Sequence, residues 1–277
     1  MRVVSLAVNL PGPVAAARLR GLGASVTKVE PPSGDLLAWA APAYYEDLAR
    51  GQKITTLDLK QPEDRARLEG LLENADLLLT SSRSRALERL GVGWKELSVR
   101  HPRLSQGAIF RHPAPDDDVP GHDLTYQAGL GLLSPPDLPR TLLADLAGAE
   151  RAVSAALALL LGRERGRSVG YAEVSLAESA ADFAEPLRHG LTAPGGSLGG
   201  GLPEYNLYQT SKGWLSVAAL EPHFWRKLLD ELGLEDAGYE DLARAFRTRS
   251  AGEWEAWAAA RDLPLAALRE VSVIVER

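Results

Sequence analysis

Three side chains in this sequence are of types that move protons: His122 in "PGHDLTYQAGLGLLS", Asp145 in "TLLADLAGAE" and Glu221 in "ALEPHFW". Proton transfer by a positioned side chain of these types contributes about 10²–10⁴-fold to a rate. Each also has a plain structural reading. His122 and Asp123 stand in a Pro-Gly turn ahead of an apolar helix, where they would form an N-cap pair. Asp145 sits where the strand-like "TLLA" turns into a helix, and as an N-cap it would contribute about 1 kcal/mol. Glu221 lies between a strand and a helix that Pro222 can start, as a solvated turn residue. The sharper reading of Asp145 is a carboxylate held at the top of a parallel sheet, facing a cleft. The local pattern leaves both readings open.

Composition narrows the chemistry. The chain has 277 residues, 45% hydrophobic and 25% charged, the balance of a soluble globular protein large enough for one large domain or two smaller ones. It has no cysteine, hence no disulfide, thiolate metal site or cysteine nucleophile. The net charge of −6 argues against a general nucleic-acid binder, while leaving room for a local Arg/Lys cluster that holds a phosphorylated ligand. "NLPGP" is neither GxGxxG nor a P-loop, so NAD and ATP find no support. No HExxH or other metal spacing occurs, so no metal is expected. "SLAES" is not a nucleophile elbow. The apolar run at the start is too short for a signal peptide, and "VSAALALLLG" is about half of a bilayer span. A cytoplasmic protein is expected.

The elements that must hold these residues alternate between strand and helix. "VVSLAV", "ASVTKVE", "KITTLDL", "DLLLTS" and "RLSQGAIF" read as strands, with helices at "VAAARLRGLG", "PEDRARLEGLLENA", "SRALERLG" and "GWKELSVRHP" between them. A long Ala/Leu-rich helix starts near Asp145, and "SVGYAEVSLAESAADFAEPLRHG" reads as strand then helix. The pattern predicts an α/β fold with a Rossmann-like parallel sheet and helices on both faces, plus a smaller α+β domain. Ligands of such sheets bind at the carboxyl ends of the strands. The domains are expected at 1–188, a large α/β domain, and 204–277, a small α+β domain. A Gly/Pro-rich linker at 189–203 joins them. The small domain begins with a Lys-Gly hairpin, continues with helices around 222–232, 239–247 and 251–260, and ends in a strand at "VSVIV".

The ordered segments "GLGASVTKVEPPSGD", "ARGQKITTLDLK", "SSRSRALERLGVGWKEL", "HPRLSQGAIF", "PGHDLTYQAGLGLL", "LLADLAGAERAVSAALALL", "GYAEVSL" and "PEYNLYQTSKGWLSVAALEPHFW" together resemble the family III CoA-transferases, over residues 1 to 235. Within that family the likeness is greatest to the α-methylacyl-CoA racemases. The transferases usually carry an aromatic residue between the Gly and Asp of the "GHD" segment, whereas the racemases carry histidine, as here at 122. The resemblance implies an acyl-CoA racemase or epimerase acting on 2-methylacyl-CoA by two bases: His122, supported by Glu221, on one face, and Asp145 on the other. Backbone N–H groups near the start of the Asp145 helix would suit the enolate-like oxygen.

The alternative is a CoA-transferase, with Asp145 as nucleophile forming an acyl anhydride and "GGSLGGG" as a mobile loop. A second alternative is an inactive CoA-binding protein. By the same resemblance Arg83, Lys53 and Lys60 would meet the CoA phosphates, Leu57 and Asp58 the adenosine side, and "NLPGP" the pantetheine arm. No cofactor is implied, since coenzyme A enters as the substrate thioester. The family's chains run longer, so this chain is expected to be a C-terminally shortened form. A homodimer is expected because the family's cleft is built from two subunits. Neither nucleic acid nor membrane is an expected partner.

Overall fold

A computed structural model of the chain describes residues 1–82, 84–113, 116 and 119–269. Two compact units divide it, Met1–Ala184 and Glu185–Arg277. The first opens with β1 (Arg2–Ser5), α1 (Pro11–Gly21), β2 (Ser25–Glu30), α2 (Leu36–Ala40), α3 (Pro42–Ala49), β3 (Lys53–Thr56), α4 (Pro62–Leu72) and β4 (Leu77–Thr80). It continues through α5 (Ser84–Arg89), α6 (Trp94–Arg100), β5 (Ser105–Phe110), α7 (Asp123–Gly129), α8 (Leu143–Glu164), β6 (Tyr171–Ser175) and α9 (Leu176–Phe183). All the strand pairs of this unit are parallel, in the order β3-β2-β1-β4-β5-β6. Strand order reverses between β1 and β4, the topological switch point at which such sheets bind ligands.

Side chains alternate across the sheet, so a strand buried on both faces feeds two cores. Val3, Leu77 and Leu79 join Val14 and Leu19 of α1 and Ala152, Val153 and Ala156 of α8 in one core. Val4 and Leu78 join Leu68 and Leu72 of α4, Leu87 of α5 and Leu97 of α6 in the other. The small residues of α8 let it lie close against its neighbours. A Cβ at Gly148 would fall 2.3 Å from Leu176 Cδ2, so a larger residue there would force the Leu176 side chain to move. No loop separates β6 from α9. Ser175 ends the strand and caps the helix at once, its Oγ accepting the Glu178 N–H at 3.1 Å.

The second unit contains α10 (Glu185–Arg188), a tight π-type turn at Ser197–Gly201, β7 (Tyr205–Gln209), β8 (Trp214–Ala218), α11 (Pro222–Leu232), α12 (Tyr239–Phe246), α13 (Ala251–Ala259) and β9 (Leu265–Ala267). Its antiparallel sheet, β7-β8-β9, shares a core with the three long helices through Tyr208, Leu215, Val217, Leu228, Leu242, Phe246 and Trp254. The buried polar ends of that core are paired: Tyr208 Oη donates to Pro203 O at 2.6 Å and Trp254 Nε1 to Phe246 O at 2.8 Å. The Gly/Pro-rich segment 189–203 lies inside this unit, whose boundary falls at Ala184/Glu185. The third strand comes from Leu265–Ala267, whereas the "VSVIV" expected as a strand lies outside the described residues.

Candidate functional site

Two cavities open at the carboxyl end of the parallel sheet, on either side of the switch point. Val8, three residues past β1, lines both. Ser81 lines the first and Ser82 the second, directly after β4. The strand ends are tied together there: Ser81 Oγ accepts the Val8 N–H at 3.0 Å and donates to Val8 O at 3.2 Å.

The first cavity, of about 240 Å³, brings His122 and Asp145 together with Asn9, Arg111, Leu37 and Leu176. His122 is the residue before α7. The helix start uses its backbone: the His122 N–H donates to Thr125 Oγ1 at 3.0 Å, and that hydroxyl donates back to His122 O at 2.7 Å. The imidazole itself is exposed and makes no hydrogen bond among the described residues. It is therefore no capping ligand, contrary to the structural reading of the sequence. Gly121 beside it packs hard on Tyr126. A Cβ there would lie 2.5 Å from Tyr126 Cε1, so only glycine lets the chain pass at this point. The Tyr126 hydroxyl is buried without a hydrogen-bond partner among the described residues, and burial pushes its pKa above the ordinary phenol value.

Asp145 is the third residue of α8, and the residue before that helix is Leu142, which supplies no side-chain cap. The cap comes from Asp123 instead, through the fold. Asp123 is buried, and its Oδ1 accepts the N–H groups of Ala144 at 2.6 Å and Asp145 at 3.3 Å, while Gln127 Nε2 donates to Oδ2 at 2.5 Å. This corrects one expectation: Asp145 is not an N-cap. The N–H groups of Ala144 and Asp145 are bonded to the Asp123 carboxylate instead. Among the described residues the Asp145 carboxyl makes no hydrogen bond. Burial, and secondarily the Asp123 charge, push its pKa up to about 6.

The second cavity, of about 200 Å³, is lined by Leu57, Asp58, Lys60, Glu30, Pro31 and Leu87 among others. Asp58 follows β3 and is oriented by its own turn: its N–H donates to Asp64 Oδ2 at 2.7 Å, and its Oδ1 accepts the Lys60 N–H at 3.1 Å. Lys53 begins β3, at the opposite end of that strand, and is not in the lining. Arg83 lies outside the described residues. Glu221 belongs to the second unit, where it precedes Pro222 at the start of α11, exposed and without a side-chain bond to that helix.

Sequence reasoning missed Arg111, the cation of the first cavity, and Asp123 as the cap of α8. Arg111 had a usable signal, a charged residue directly after a strand of a parallel sheet. Asp123 had none, because its partners lie about twenty positions away. Among the described residues, no group of three or more His, Cys, Asp or Glu side chains is placed to hold a metal ion, and no helix is long and apolar enough to cross a membrane.

A family model described as CoA-transferase family III matches residues 1–277. The chain is similar to the α-methylacyl-CoA racemase of Homo sapiens, at 32% identity over 253 residues, 84% of this chain and 64% of that protein. It is similar to the succinate–glutarate CoA-transferase of Agrobacterium fabrum, at 29% identity over 263 residues, 84% of this chain and 66% of that one. The crystal structure of Rv3272 from Mycobacterium tuberculosis superposes with a TM-score of 0.84 at 26% identity, covering all of this chain and 84% of that one. The chain thus spans less than two thirds of the length of the human racemase and of the Agrobacterium fabrum transferase.

Proposed function

Because the chain belongs to CoA-transferase family III, we propose that it works as an acyl-CoA racemase or epimerase, inverting the carbon next to a 2-methylacyl-CoA thioester. The observation that carries this reading is that His122 and Asp145, on different helices, line one small cavity at the switch point of the sheet. One group takes the α-proton, and its electron pair moves into the carbonyl as an enolate. The other group returns a proton to the opposite face. A carboxyl with a pKa of about 6 is present in both forms near neutrality, which suits a residue that must act as base in one direction and acid in the other. Arg111 supplies positive charge in the lining for the developing enolate, in place of the N–H groups that Asp123 occupies.

The thioester end is assigned to the first cavity and the nucleotide end to the second, with Leu57 and Asp58 along the adenosine and Lys60 at the phosphates. Glu221 is assigned the support of His122 as a functional coupling, and the protein is read as a cytoplasmic homodimer. Light scattering at micromolar concentration tests the dimer, and a monomer refutes it. The reaction is tested by exchange of the α-proton of a 2-methylacyl-CoA in deuterated water. Exchange in the wild type, lost in His122→Ala and Asp145→Ala and reduced in Glu221→Ala, is expected. Full exchange after His122→Ala rejects the reading.

A transferase reading is favoured by the similarity to the Agrobacterium fabrum enzyme. There Asp145 attacks the thioester carbonyl, the C–S bond breaks, CoA leaves as thiolate and an acyl anhydride forms on the aspartate. Hydroxylamine trapping of an acyl group on Asp145, together with activity that survives His122→Ala, would replace the first reading by this one.

A further inference from the structure

Between the two cavities lies a buried ionic cluster that the proton chemistry does not use. Lys28 of β2 is 1% exposed, and its Nζ donates to Glu30 Oε1 and to Asp35 Oδ2, each at 2.6 Å. The Tyr45 hydroxyl donates to the same Glu30 oxygen at 2.6 Å, and the Lys28 ammonium lies 4.5 Å from the centre of the Tyr45 ring. One cation therefore meets two carboxylates. A structural ion pair needs one of each, and burying a second carboxylate adds a desolvation penalty. Its presence calls for another task.

The two carboxylates reach different walls. Asp35 Oδ1 accepts the N–H of Asn9 at 3.1 Å and of Leu37 at 3.0 Å. Both residues line the first cavity, and Asn9 sits at φ 66°, a left-handed conformation that asparagine accepts more readily than most residues and that the Asp35 bond helps to hold. Glu30 itself lines the second cavity.

We propose that Lys28 is a positioning residue that fixes the two cavities against each other, one arm running through Asp35 to the thioester end and the other through Glu30 to the nucleotide end. This rests on reading the cavities as the two ends of one CoA-thioester site. The arms are separable, because neutralising either carboxylate leaves Lys28 balanced by the other. Asp35→Asn and Glu30→Gln are thus expected to stay folded, which thermal melts verify.

The test is calorimetric titration of the full chain with CoA and with a 2-methylacyl-CoA. Asp35→Asn is expected to change the ratio of the two affinities by about tenfold while leaving CoA itself within about twofold of wild type. Glu30→Gln is expected to weaken both ligands by the same factor, about tenfold, and so keep the ratio. Tyr45→Phe, a neutral change on the Glu30 arm, follows Glu30→Gln with a smaller loss. If folded Asp35→Asn shifts the two affinities alike, or if folded Glu30→Gln changes their ratio, or if neither variant shifts either affinity, the proposal is overturned while the reading of the site stands. If the wild type binds neither ligand, the reading of the site falls and takes the proposal with it.

Discussion

The two cavities are built by different rules. The second cavity draws on the segment after β1, the turn after β2, the turn after β3, and residues from the end of β4 into α5, and its charged side chains are Glu30, Asp58 and Lys60. The first cavity collects residues from segments scattered between Val8 and Leu176 and concentrates three titratable side chains, Arg111, His122 and Asp145. The former kind of site recognises a ligand with groups whose ordinary chemistry suffices. The latter changes the chemistry of Asp145, by desolvating its carboxyl and placing the Asp123 charge nearby. Damage to the one is expected to appear in affinity, and damage to the other in turnover and pH dependence.

The sharpest break in that contrast comes from Asp145→Ala. It is expected to lower α-proton exchange by about 10²–10⁴-fold while CoA affinity stays within about twofold, and an equal loss of both would erase the distinction. Next in size is a stability effect. Asp145 has a folded pKa of about 6 against an ordinary 3.8. Between these values the folded chain holds a proton that the unfolded chain has released, so this residue's contribution to stability falls as pH rises and the full penalty applies above pH 6. Asp145→Asn is therefore expected to be more stable than wild type at pH 8 by about 1–3 kcal/mol, with the difference vanishing near pH 4; urea titrations at both pH values decide it.

Asp123 separates charge from capping. Asp123→Asn keeps an acceptor for the helix N–H groups but removes the like charge, so the acid limb of the exchange profile should move to lower pH. Asp123→Ala leaves those N–H groups unmet and should cost about 1–3 kcal/mol in the same titrations. The smallest effect belongs to the other cavity. Lys60→Ala should weaken CoA about two- to fivefold by calorimetry, less at high salt, with turnover at saturation unchanged.

The legibility of the sequence follows the same division. Strands of the parallel sheet announce themselves because both faces are buried, so "VVSLAV" is apolar but for Ser5 and "DLLLTS" carries three leucines in a row. The helices α2 and α3 went unread because neither has a buried residue, and a helix without an apolar stripe has no periodic signature. The strand β9 is three residues of "PLAAL", whose composition suits a helix and whose pairing with β8 overrides it. At the site, His122 and Asp145 were visible by type, but local pattern could not choose between cap and catalyst. Asp123 takes the cap position of α8 from Asp145, through bonds that no local window contains.

The direct passage from β6 into α9 limits how this pocket can be reshaped. With no connecting residues, Leu176 is indexed to the sheet itself, and one inserted residue would swing it about 100° around the helix axis, out of the space that Gly148 leaves on α8. That wall is fixed by the sheet. The cavity can be widened with less cost at α2, where Leu36 and Ala40 line it from a helix with no fully buried residue.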